Sequence, residues 1–115
     1  MREMEGEQVL MRIFIGDRDR WHGRSLTDAL VELFKKEHFA GATVLHGTQG
    51  FGPTSVVIHK DSILRLSQDL PVVIEVVDSE ERIRAILPNL DEMIGGGLIT
   101  LEKVQVIRYR PPASA

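Results

Sequence analysis

Residues 70–78, LPVVIEVVD, constrain the fold more than any other stretch of this chain. Read as a strand, they put Val73 and Val77 on one face and Val72, Ile74 and Val76 on the other, with Glu75 between the first two. A strand with large apolar groups on both faces belongs in a sheet covered on both sides. Residues 8–15, QVLMRIFI, repeat the pattern: Val9, Met11, Ile13 and Ile15 take one face, and Leu10, Arg12 and Phe14 the other.

Two helical segments separate the strands. Ser25 and Asp28 have capping-box spacing ahead of LTDALVELFKKEHF, whose apolar stripe is Leu26, Ala29, Leu30, Leu33 and Phe34. Lys35, Lys36 and His38 fall near the negative end of that helix dipole, and Gly41 is read as the stop. A short strand, ATVLH, follows. After the strand at 70–78, Asp78 and Glu81 are read as a second capping box, opening a helix with Ile83, Ile86, Leu87, Leu90, Met93 and Ile94 on one stripe. Pro88 lies inside it and is expected to kink or split it, because it removes a backbone donor. Gly95, Gly96 and Gly97 end it, and LITLEKVQVIRYR is the last strand. Residues 53–69 show no clear helical period and are read as an irregular or hairpin segment.

The order is β-α-β-β-α-β, the ferredoxin-like arrangement of the α+β class, with both helices on one sheet face. Leu10, Phe14, Val73 and Val77 then point to the uncovered face, too much apolar surface to leave in water. Arg12 and Glu75 stand among them on neighbouring strands, as an expected ion pair. The inference is an oligomer that buries this face.

With 115 residues, 43% hydrophobic and 27% charged, the chain is expected to form a single domain over 8–110, after a flexible N-terminus at 1–7 and before a disordered tail at 111–115. A net charge of −3 argues against gripping nucleic acid by charge. The absence of cysteine excludes disulfides, thiolate metal sites and a cysteine nucleophile. The polar N-terminus is no signal peptide, no apolar run reaches membrane-spanning length, and the expectation is a cytoplasmic protein without membrane insertion.

Four glycines occupy residues 40–52, AGATVLHGTQGFG. Gly47, Gly50 and Gly52 spell G-x-x-G-x-G, the reverse of the dinucleotide fingerprint, and strand-like PTSVVIH follows where that fingerprint needs a helix, so a Rossmann site is rejected. Alone, these glycines read as a turn. The run at 95–97 is either a helix stop using a left-handed residue or a nest of free amides that can hold an anion. Arg108 and Arg110, two apart on a strand, share a face; they are either solvated or a phosphate clamp. The four histidines lack zinc-site spacing, no general acid/base pair stands out, and no nucleophile with a base can be named. Trp21, in the loop DRDRWHGR, either stacks on a ligand or packs against a neighbouring subunit.

Over nearly its whole length the chain resembles the PII-like (GlnB-like) signalling proteins, and within them the branch called domain of unknown function 190. The residues that carry the resemblance are WHGR (21–24), GATV (41–44), GFG (50–52), DLPVVIEVVD (69–78) and GLITLE (97–102). It implies a homotrimer of ferredoxin-like units that binds an adenine nucleotide (AMP, ADP or ATP) in clefts between subunits, without a prosthetic group. Carried over by position, Thr43, Glu75 and Val77 lie near the adenine, and Gly50 and Gly52 open a mobile loop over 50–68. Gly95, Gly96 and Gly97 offer amides to the phosphates, with Arg108 and Arg110 as the charge clamp. The loop then docks on a partner protein, such as a transporter or enzyme. The chain departs from true PII proteins in having Leu98 where they have a lysine after the glycine loop, and Pro53 with no tyrosine in 53–68. These departures argue against 2-oxoglutarate sensing and uridylylation, and put AMP and ADP level with ATP. A second reading is a metal-binding trimer resembling the divalent-cation tolerance proteins, using His46, His59 or nearby acids. RNA recognition on this topology lacks paired stacking aromatics, and an enzyme is not expected.

Overall fold

A computed structural model describes residues 3–53 and 69–112. The elements run β1 (Met4–Gly16), β2 (Arg20–Trp21), β3 (Arg24–Ser25), α1 (Leu26–Lys36), β4 (Thr43–His46), β5 (Pro71–Asp78), α2 (Glu80–Met93) and β6 (Leu98–Tyr109). The larger sheet has the order β4-β5-β1-β6 with antiparallel neighbours throughout. With β2 and β3 set aside as a small separate ribbon, this is the ferredoxin-like order expected from the sequence.

The alternation along β1 and β5 decides the layers. Val9, Met11, Ile13, Ile15, Val72, Ile74 and Val76 are buried with Leu26, Ala29, Leu30 and Phe34 of α1 and Ile83, Ile86, Leu90 and Met93 of α2. Both helices therefore cover one sheet face. The opposite face carries Leu10, Phe14, Val73 and Val77, partly exposed in the single chain. Leu45 and Leu98 extend that apolar surface and are about half exposed, at 48% and 52%. Arg12 and Glu75 pair across β1 and β5 on this face as expected, at 2.9 Å.

Local chemistry departs from the sequence reading at several ends. β1 starts at Met4, inside the segment assigned to a flexible N-terminus, because residues 4–8 find hydrogen-bonding partners on β6. The helix α1 begins as expected, with the Ser25 hydroxyl accepting from the Asp28 amide. It ends earlier, at Lys36, and the left-handed residue is His38 (φ 61°), not Gly41. The cap of α2 is Ser79, whose hydroxyl accepts from the Arg82 amide; Asp78 instead closes β5, fully buried, and accepts from the Ser79 amide. Pro88 does not split α2, which is continuous over 80–93. It sits on the exposed side, so the Arg84 carbonyl that loses its partner faces water. The glycine run is not a left-handed stop either: α2 is capped by Ile94 in an extended conformation, and the glycines of positive φ are Gly6, Gly23 and Gly50.

The loop around Trp21 is a two-residue hairpin. Trp21 pairs with Arg24 across His22 (φ 51°) and Gly23 (φ 78°), the two positive φ values that a type I′ turn requires. Trp21 stacks on His22 with 4.0 Å between ring centroids and packs against the protein's own core. The irregular or hairpin segment expected at 53–69, all but its ends, lies outside the described residues, as do the tips of both termini.

Candidate functional site

Alternation on β4 and β5 brings Thr43 beside Glu75, and β5 pairs Glu75 with Arg12 of β1. These three form one row across the uncovered face. Thr43, Glu75, Val77 and Arg108, all singled out in the sequence, line a single depression of about 450 Å³. Leu10 lies in its lining, and Met4 and Tyr109 bound it at the far end of the sheet. The Tyr109 hydroxyl donates to the Ala40 carbonyl at 3.0 Å, tying the end of β6 to the turn that leads into β4. The lining therefore combines apolar walls with a carboxylate, a hydroxyl and a guanidinium.

Met4 and Tyr109 were not legible as site residues. Their position depends on a β-bulge: Gly6 pairs with Val106 but Met4 pairs with Tyr109, so β6 spends one residue more than β1 between the two pairs. The extra residue resets the alternation between Val106 and Tyr109, and the strand ends at Tyr109, so the two-residue spacing of Arg108 and Arg110 is not a strand spacing. Arg108 lines the depression. Arg110 lies just beyond the strand, with its guanidinium 3.7 Å from the Glu3 carboxylate.

The glycines stand apart from this cluster. A Cβ at Gly50 would lie 3.4 Å from Pro71, the first residue of β5, and one at Gly97 would lie 2.8 Å from the Phe14 carbonyl oxygen. Both places are at the end of the sheet where β1 finishes and β5 and β6 begin. Gly52 follows two residues after Gly50, and Gly95 and Gly96 lead directly into Gly97. Glu75 and Val77 are four and six residues further along β5 than Pro71, roughly 13–20 Å at strand rise. One chain thus carries two separated groups, the lined depression and the glycine end.

Arg12 has a second partner that the sequence did not suggest. Its Nε donates to Glu75 Oε2 at 2.9 Å, while a terminal nitrogen donates to Glu102 Oε1 at 3.0 Å. These carboxylates push the Arg12 pKa up from its ordinary value, the Glu75 hydrogen bond most strongly and that of Glu102 next. The guanidinium therefore stays charged at any pH the protein experiences.

Of the proposed metal ligands, His46 points Nε2 toward Asp17 at 3.3 Å, and His59 lies outside the described residues. Among the described residues, no group of three or more histidine, aspartate or glutamate side chains comes together to hold a metal. Nor, among them, is any helix long and apolar enough to cross a membrane.

Residues 8–106 match the family described as DUF190, uncharacterized ACR, COG1993. The chain belongs to the DUF190 family. Among its relatives, a UPF0166 protein of Aquifex aeolicus (strain VF5) is 39% identical over 103 residues, covering 88% of this chain and 94% of the relative. A UPF0166 protein of Methanocaldococcus jannaschii is 36% identical over 100 residues, covering 86% and 91%. Among solved structures, this DUF190 chain is similar to CPII of Thiomonas intermedia K12 in a complex described as bound to ADP, AMP and acetate. The TM-score is 0.54 at 14% identity, with 92% of each chain covered. A second CPII structure, bound to ADP and bicarbonate, gives 0.53 at 16%, with 91% of each chain covered. The fold is that of the PII-like proteins.

Proposed function

We propose that this DUF190 protein is a PII-like regulator, a homotrimer that takes an adenine nucleotide at each subunit boundary. The observation that carries the reading is the separation of the two residue groups. Thr43, Glu75, Val77 and Arg108 form a depression on the face that is short of a cover, and Gly50, Gly52 and Gly95–Gly97 sit at the opposite end of the same sheet. Neither group makes a whole nucleotide site. A neighbouring copy laid on the uncovered face supplies the missing half. The depression would hold the base and ribose, Arg108 would draw the phosphates, and the neighbour's glycine amides would complete their binding.

The ADP and AMP held by the CPII structures of this fold support the ligand class. Leu98, in place of a lysine after the glycines, supports AMP or ADP over a ligand needing a further cation. Arg110, released from Glu3, would be the second charge of the clamp. Nucleotide binding would act on the segment 50–68 and so on a partner protein such as a transporter or enzyme, in the cytoplasm. It can shift that segment only by its differential affinity for the two states. The protein in this reading is a binding module, not a catalyst.

The test is calorimetric titration with AMP, ADP, ATP and cyclic AMP, with the mass in solution recorded alongside. Micromolar binding of one of them to a trimer is expected. No heat with any of them, on a folded trimer, refutes the reading.

A further inference from the structure

Arg12 lies beside the depression, not among the residues that line it, yet it holds one that does. We infer, on the basis of the nucleotide reading above, that Arg12 is a positioning residue which orients Glu75 toward the nucleoside end of the ligand. Glu75 Oε2 is taken by Arg12 Nε, and Glu75 Oε1 has no partner among the described residues. A glutamate side chain has several rotatable bonds. Fixing one oxygen removes much of that freedom before the ligand arrives, so less entropy is lost on binding. Glu102 performs the same service for Arg12, holding the other side of its guanidinium at 3.0 Å. The planar fork lets one residue hold two carboxylates in a set geometry, which a lysine ammonium cannot do.

The chemistry of Oε1 then sets the pose. An ionised carboxylate only accepts hydrogen bonds, so Oε1 takes a ligand donor, a ribose hydroxyl or an exocyclic amine. The same negative charge repels phosphate. Arg108, on the same lining, attracts it. Glu75 and Arg108 thereby give the depression a polarity: the nucleoside end lies at Glu75 and the phosphate end points away from it. Thr43, next to Glu75 in the same row, adds a hydroxyl on the nucleoside side.

The test is a double-mutant cycle on the full-length protein, read by calorimetric titration with ADP and AMP and by mass in solution. Arg12→Gln and Glu75→Gln are each expected to weaken binding about tenfold or more, as for a lost charge-assisted hydrogen bond. The double variant should bind no more weakly than Glu75→Gln alone, because Arg12 acts through Glu75. A purely structural role of Arg12 would instead give losses that multiply. Arg12→Lys keeps the charge and provides a variant if Arg12→Gln fails to fold or assemble; it too should bind more weakly than the unaltered protein, with the loss absent in the Glu75→Gln background. Unchanged affinity in either Arg12 variant, or multiplying losses, overturns the positioning role while leaving the nucleotide reading intact. Absence of binding by the unaltered trimer overturns both.

Discussion

Gly97 and Gly95 are two residues apart in one glycine run, and alanine should have opposite effects at them. A Cβ at Gly97 would stand 2.8 Å from the Phe14 carbonyl oxygen, 3.1 Å from Ile94 Cγ2 and 3.3 Å from Ile15 Cγ2. Carbon-to-oxygen contacts normally lie at about 3.3–3.6 Å, so the backbones must part by about half an ångström. They cannot do so cheaply, because Leu98 and Phe14 are paired at that point in the β1–β6 ladder. Forcing extra volume into a packed site costs about 1–3 kcal/mol. At Gly95 the added methyl meets nothing within 4 Å and φ is ordinary. There alanine should stabilise by about 0.4–1 kcal/mol, by narrowing the unfolded ensemble. The assay is thermal unfolding at one fixed protein concentration, since the proposed assembly would make the midpoint depend on concentration. A domain of this size shifts by about 4 °C per kcal/mol, so Gly97→Ala should melt roughly 4–12 °C lower and Gly95→Ala slightly higher than the unaltered protein. Equal losses at both positions would refute the close-approach reasoning and make the run a matter of backbone freedom.

Arg108→Ala should weaken ADP binding by about 1.5–3 kcal/mol, read by calorimetry, and unchanged affinity removes Arg108 from the site. Arg110→Ala should do the same if its guanidinium leaves Glu3 on binding; an unaltered titration assigns it to the Glu3 contact alone. Leu98→Glu puts a charge on the apolar uncovered face and should convert the proposed trimer to a folded monomer that no longer binds nucleotide, measured by light scattering and circular dichroism. A trimer of unaltered mass would mean that this part of the face is not the interface. Ser79→Ala removes the cap of α2 and should cost about 1 kcal/mol in chemical denaturation, with Glu81→Ala nearly neutral; the reverse order would restore the cap to Asp78.

The layers of this fold were written in its strand alternation. Val72, Ile74 and Val76 against Val73, Glu75 and Val77 name both faces of β5, and the partnership of Arg12 with Glu75 follows from the topology. Thr43, Glu75 and Val77 were named only through the resemblance to PII-like proteins; the period of two fixes which residues share a face, not which of them meet a ligand. Element ends were less legible, because they turn on single hydrogen bonds. Asp78 and Ser79 are both good caps, and only burial of the Asp78 carboxylate at the end of β5 decides between them. His38 takes the left-handed position that glycine usually fills, since its amide still reaches the Lys35 carbonyl. The strand at Met4 was hidden by its polar residues, Glu5, Glu7 and Gln8, which break the apolar alternation although their backbone pairs with β6. The bulge between the Met4 and Gly6 pairs has no periodic signature. It brings Tyr109 to the depression, and the end of the strand there leaves Arg110 outside it, beside Glu3.

The most direct test of the intersubunit nucleotide site is a crystal structure of the protein grown with ADP. The expected result is a trimer with ADP between subunits, its nucleoside end against Thr43 and Glu75 of one protomer. The phosphates should lie between Arg108 of that protomer and Gly95–Gly97 of the next. ADP held within a single protomer, or a trimer whose uncovered sheet faces point outward, would contradict it.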